Sequence, residues 1–206
     1  MAISPDSRWL VTGSCDDKTP RLWDLRAEKP GAAPIDLRGH GFGITSLAIS
    51  PDSRWLVTGS EDRTARLWDL TAPDPTATPI VLRGHGNSIW CVAISRDNRM
   101  LVTGCADGTV RIWDLTAANP AEAPIVLRGH KGLVRYVAIS PDSHWLVTGS
   151  GNTYLWSLRL EELVDLARRT AGRGFTNEER KRYMLPAAAI TSPTTATSGN
   201  STQASR

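Results

Sequence analysis

Short runs of alternating apolar and polar residues recur along the chain, each closed by a turn signal. Ser88-Ile89-Trp90-Cys91-Val92-Ala93-Ile94 alternates with period two, the pattern of a strand with one buried face. Runs of this kind end at turns of the Pro-Asp-Ser type, as at Pro51-Asp52-Ser53. A second run, RWLVTGS, stops at a glycine and a polar turn, and a third, TARLWDL, alternates again. The connection TAPDPTATP between Leu70 and Ile80 is rich in proline, which has no N–H to give to a ladder, so it reads as a loop. A short fourth strand, Pro-Ile-Val-Leu-Arg, then leads into a Gly-His pair.

These strands repeat as a unit. His40, His85 and His130 are spaced by 45 residues, and Trp23, Trp68 and Trp113 by 45, with 43 more to Trp156. Tryptophan supplies 8 of the aromatic residues against 3 Tyr and 2 Phe, as expected when one residue type belongs to a repeat. Four strands in such a unit cannot bury both faces of their own sheet. Stacking the sheets around an axis does bury them, which predicts an all-β fold of β-propeller blades.

The Gly-His pairs and the Trp-Asp pairs at Trp23-Asp24, Trp68-Asp69 and Trp113-Asp114 resemble the WD-repeat (WD40) propeller family, over residues 1–158. The resemblance implies a hydrogen-bonded tetrad in each blade, built here from His40, Thr58, Asp62 and Trp68, and from His85, Thr103, Asp107 and Trp113. Partial tetrads follow at Thr12, Asp17 and Trp23, and at His130, Thr148 and Trp156. It also implies that partners dock on the loops before the first strand and between the second and third. The matching positions are Gly43, Thr45 and Glu61, then Ser88, Trp90 and Ala106, then Leu133 and Arg135. Trp and Arg are the residue types most enriched at binding hot spots, which singles out Trp90 and Arg135. Trp90 reads equally as an aromatic packed between blades.

The blades are expected at 1–38, 43–83, 88–128 and 133–158, as about four repeats of an incomplete ring. Blade one lacks its Gly-His pair and carries one extra residue between Thr12 and Asp17, around Cys15-Asp16, which reads as a bulged turn. Blade four has two residues fewer between Thr148 and Trp156, no aspartate in register, and no outer strand. In RLEELVDLARRT, Leu160, Leu163, Val164 and Ala167 fall on one helical face. Thr176 with Glu179 three positions on marks a second helix start. A helical extension is therefore expected over 159–185 and a disordered tail over 186–206. The extension resembles the ending found after the last repeat of bacterial proteins that join propellers to kinase or nucleotide-binding switch domains. Met1 falls in the column of Leu47, Val92 and Val137, inside the first strand. That register is expected of the C-terminal part of a longer bacterial multi-domain protein; a true short protein is the alternative.

Charge changes little in this picture. Residues 1–158 hold 16 basic and 16 acidic residues, and the net charge of +3 arises after them. A neutral body argues against a nucleic-acid face, which needs clustered basic residues. No apolar run approaches a membrane span. Cys15, Cys91 and Cys105 form no metal-type pair and read as small buried residues in a reducing compartment, which points to the cytoplasm. The His, Thr and Asp residues recur in every blade, whereas a catalytic constellation occurs once per site. No enzyme, cofactor or metal is therefore expected. The expected function is a non-catalytic scaffold for a protein or peptide partner, with self-association or further upstream blades completing the stack. The alternative is the regulatory C-terminal part of an enzyme whose catalytic domain lies upstream.

Overall fold

Period-two alternation produces strands, and the strands assemble in sets. The computed structural model describes residues 1–29 and 31–158, and all regular elements among them are strands. The helices expected over 159–185 and the tail over 186–206 lie outside the described residues. The first sheet contains β1 (Ala2–Ile3), β2 (Trp9–Ser14), β3 (Asp17–Asp24) and β4 (Ile35–Asp36). The second contains β5 (Ile44–Ile49), β6 (Trp55–Ser60), β7 (Ala65–Asp69) and β8 (Ile80–Leu82). The third contains β9 (Ile89–Ile94), β10 (Met100–Cys105), β11 (Val110–Asp114) and β12 (Ile125–Leu127). The fourth has three strands, β13 (Tyr136–Ile139), β14 (Trp145–Ser150) and β15 (Asn152–Ser157). Each sheet is antiparallel with its strands in chain order, the topology of a propeller blade.

The turn between the first two strands of each blade is built the same way. A serine hydroxyl binds the aspartate two residues on and accepts the N–H that opens the next strand. Ser50 does this with Asp52 at 2.5 Å and Trp55 at 2.8 Å, and Ser95 with Asp97 at 2.5 Å and Met100 at 2.9 Å. The turn closes through a left-handed residue, Ser7, Ser53, Asn98 or Ser143, with φ between 56 and 61°. A short polar side chain tolerates that conformation.

Alternation sorts each blade into two faces. Leu56 and Trp68 face blade one and pack with its Val11 and Leu22, all fully buried. Val57 and Leu67 face blade three and pack with Leu101 and Trp113. Val102 and Ile112 of blade three pack with Leu146 of blade four. A knob-and-hole contact locks each seam. A Cβ on Gly59 would stand 2.8 Å from Cγ2 of Ile89, and one on Gly104 2.8 Å from Cγ1 of Val134. Three apolar cores thus join four blades in a row, and among the described residues none joins blade four back to blade one.

The two irregular blades have local causes. The extra residue of blade one shifts the β2–β3 register between Thr12 and Ser14, and Cys15-Asp16 forms the turn. Cys15 is exposed, contrary to the buried position expected of it. In blade four the shortened hairpin leaves Ser150 opposite Asn152, and Gly151 makes the reversal with φ 78°, a conformation glycine adopts at no steric cost.

Candidate functional site

The recurring polar residues converge beside the buried tryptophans. In blade two the Trp68 indole N–H donates to Thr58 Oγ1 at 3.1 Å, and Thr58 Oγ1 lies 2.7 Å from His40 Nε2. His40 Nδ1 lies 2.7 Å from Asp62 Oδ2, which also accepts the Gly41 N–H at 3.0 Å. One proton arrangement satisfies the whole chain: threonine donates to Nε2, and the imidazole carries its hydrogen on Nδ1 toward the carboxylate. Such a network leaves no buried polar group unpaired, at about 1–3 kcal/mol for each that would be.

Blade three departs from this pattern. Trp113 and His85 meet Thr103 at 3.0 and 2.8 Å, but Asp107 Oδ2 stands 3.6 Å from His85 Nδ1. Thr109 fills the gap: its hydroxyl lies 3.2 Å from Nδ1 and donates to Asp107 Oδ1 at 2.6 Å. Thr64 holds the same place in blade two, 2.6 Å from Asp62 Oδ1. Sequence reasoning missed both threonines, although Asp62-Arg63-Thr64 and Asp107-Gly108-Thr109 show the same Asp-x-Thr spacing. Blade one keeps only Trp23 on Thr12 at 3.1 Å, while Asp17 pairs with Arg21 at 2.8 Å. Blade four keeps Trp156 on Thr148 at 2.8 Å and His130 on Thr148 at 2.7 Å, with no carboxylate. His130 Nδ1 is buried without a hydrogen bond, and Tyr154 packs edge-on against the ring at 4.5 Å.

The partner-face positions separate into two groups. Thr45 is half-buried in the seam, its hydroxyl donating to the carbonyls of Gly59 and Ile89. Gly43 accepts the Glu61 N–H at 3.0 Å, and Ser88 accepts the Ala106 N–H at 2.9 Å, so these four tie loops together. Leu133 is half-buried. Trp90 is 38% exposed, and Arg135, in the same column as Thr45 and Trp90, is exposed with its N–H on Gly149. Phe42, which the pattern of alternation did not flag, is 64% exposed in the loop before β5.

The family model described as "WD domain, G-beta repeat" matches residues 1–24, 34–69, 77–114 and 123–157, more than half of the chain. This chain belongs to the WD40-repeat family. No curated protein matches the chain. WD40 repeats of this kind form scaffolds for protein–protein interaction, and no helix among the described residues is long and apolar enough to cross a membrane.

Blade three of this WD40 chain also holds a set of metal-ligand types. Single ligand atoms of His85, Cys105 and Asp107 lie within 4.8 Å of one another. The sulfur is already engaged, however. It donates to the Asn87 carbonyl at 3.0 Å and accepts the Asp107 N–H at 3.3 Å. Ser60 of blade two makes the same two contacts, with the Phe42 carbonyl and the Asp62 N–H, so Cys105 substitutes for a hydroxyl. Burial pushes the Cys105 thiol up to about 11, which keeps it protonated.

The same environment predicts acid sensitivity. Burial pushes His85 down from 6.5 to about 4, so the folded state holds it neutral while the unfolded chain takes up a proton. Burial itself works to raise the two carboxyls; hydrogen bonds from His40, Thr64 and the Gly41 N–H outweigh it at Asp62, well below 3.8, and those of Thr109 and Gly86 do so at Asp107, at about 2. A depressed pKa contributes stability above the unfolded value that is lost as pH falls. The urea midpoint should therefore begin to drop below pH 6.5, through His85, and steepen below 3.8 as the aspartates join. A His85→Gln variant should show a flatter profile between pH 6.5 and about 4, and an unchanged slope there would remove His85 as the cause.

Proposed function

We propose that this chain is a non-catalytic protein-interaction scaffold whose partner meets the loop end carrying Phe42, Trp90 and Arg135. The observation that carries this reading is the exposure of Trp90 in the column where Thr45 is committed to the seam. The sheet does not require a tryptophan there. An aromatic side chain and an arginine on neighbouring blades supply the large rigid area and the forked donor typical of binding anchors. The His, Thr and Asp groups do not compete with this reading, since they satisfy one another beside buried tryptophans. A protein or peptide is the partner class, because the described body is neutral in charge. A cytoplasmic, bacterial and signalling setting rests on the free cysteines, on the excess of arginine (20) over lysine (4), and on the resemblance of the residues after Trp156 to the ends of multi-domain signalling proteins.

Replacing Trp90 and Arg135 together by alanine should abolish capture of proteins that the wild-type chain retains and mass spectrometry identifies. The melting temperature should change little, because both side chains are solvent-facing. A large loss of stability would place Trp90 in the packing and remove the loop end as the partner surface.

A further inference from the structure

The two end blades expose the two halves of one seam. Within the stack, each seam joins a valine-side face of one blade to a leucine-and-tryptophan face of the next. Val57 and Val102 face the following blade and are 0% exposed, while Val147, in the same column of blade four, is 38% exposed. Trp145 and Tyr136 lie on the same side of that blade, as the β13–β14 register shows, and both are exposed. At the other end, Leu10 and Trp23 of blade one hold the columns of Leu56 and Trp68, which are fully buried against blade one. Leu10 and Trp23 are only half-buried, and Ile3, paired with Leu10, is 62% exposed.

The polar rim repeats as well. The Asp6 N–H donates to Ser53 Oγ of the next blade at 3.1 Å, and the Asp52 N–H to Asn98 Oδ1 at 3.2 Å. In the third seam the Ser143 hydroxyl reaches Asp97. Asp142 at one end of the stack and Ser7 at the other carry the corresponding donor and acceptor. The repeat therefore encodes on blade four a surface shaped for the face that blade one presents.

We propose that blade four of one copy docks on blade one of a second copy, so that two chains close head-to-tail into a ring of eight blades. The occupant is a second copy because the internal seams already show what covers each face: the same columns of the neighbouring repeat. The contact joins two different surfaces, so it closes only when the rotation completes a turn. Two stacks of four blades fall within the four to eight of known propellers. The seam between copies is smaller than the internal ones. Blade four has three strands, and only Tyr136 of its own blade approaches Gly149, where Gly59 receives Ile89. Dimerisation is therefore expected to be reversible on dilution. This inference is independent of the partner surface at Trp90, and either can fail alone.

Complementation tests it. Sedimentation equilibrium of the 206-residue chain from about 1 to about 100 µM should show a mass rising from one copy to two. Ile3→Arg spoils the blade-one face and Val147→Arg the blade-four face, and burying an unpaired charge should weaken self-association by more than about tenfold. Each variant alone should stay monomeric. Mixed, they restore one of the ring's two seams and gather both arginines in the other, so the mixture should associate more than either variant alone and less than wild type. A wild-type monomer across the range, variants that associate as wild type does, a mixture no more associated than either variant alone or as tight as wild type, or a plateau above two copies each overturns the proposal. Monomeric wild type is also the result if residues 159–206 of the same chain cover the face. If either arginine variant loses its cooperative melt, Ile3→Ser and Val147→Ser take their places with the same expected pattern.

Discussion

Trp68→Ala is expected to destabilise the chain by about 3–5 kcal/mol, and Trp113→Ala by a similar amount, read as the shift in urea midpoint. Both indoles are fully buried between blades, and both donate to a threonine that a histidine also needs. Removing the ring empties the largest volume in the seam and takes away the donor to Thr58 or Thr103. Trp23→Ala in blade one is the control, because the same residue type makes the same bond to Thr12, but on the open face and without a histidine. In dilute protein it should cost about 1–2 kcal/mol, since less area is buried and a cavity open to solvent is filled by water. Repeat proteins derive stability from neighbour interfaces, so the difference between Trp68 and Trp23 measures what one seam contributes. An equal loss at all three positions would mean that the blade-one face is covered as completely as the internal ones.

The architecture was legible because burial in a stack of blades imposes two periods at once. Alternation with period two shows in Leu56-Val57-Thr58, whose neighbours point to opposite seams, and the 45-residue spacing shows that every seam uses the same columns. What stayed hidden depends on contacts between units rather than within them. Thr45 looks like a surface residue in an alternating strand, but its hydroxyl spans to Ile89 of the next blade. Thr64 and Thr109 follow aspartates in turns, where such a residue serves first to close the turn, and their approach to the imidazole needs the Gly-His loop folded over them. Phe42 lies in a loop where no periodicity exists to interpret it. The loosened pairing of His85 with Asp107 was equally hidden, since both blades carry the same Gly-His and Asp-x-Thr signature and both aspartates accept the N–H of the glycine after the histidine.

Gly43→Ala is expected to destabilise the chain by about 3 kcal/mol, the upper end for overpacking, while Gly41→Ala two residues away is nearly neutral. A Cβ on Gly43 would stand 2.5 Å from the carbonyl carbon of Cys15, and closer still to its oxygen. The obstacle is backbone, so no rotamer change relieves it, and blade one must move relative to blade two. A Cβ on Gly41 meets only Asp62 Cβ at 3.7 Å, an ordinary contact. The cause lies in the sequence of blade one. Its β2–β3 hairpin holds one residue more than those of blades two and three, and that residue carries the Cys15 carbonyl into the seam. The positions equivalent to Gly43 are Ser88 and Leu133, which carry side chains beside the shorter turns. Removing Cys15 from the Gly43→Ala variant, which restores the common turn length, should recover most of the lost stability. Full loss persisting in the shortened variant would show that Gly43 is required for a reason other than the turn it faces.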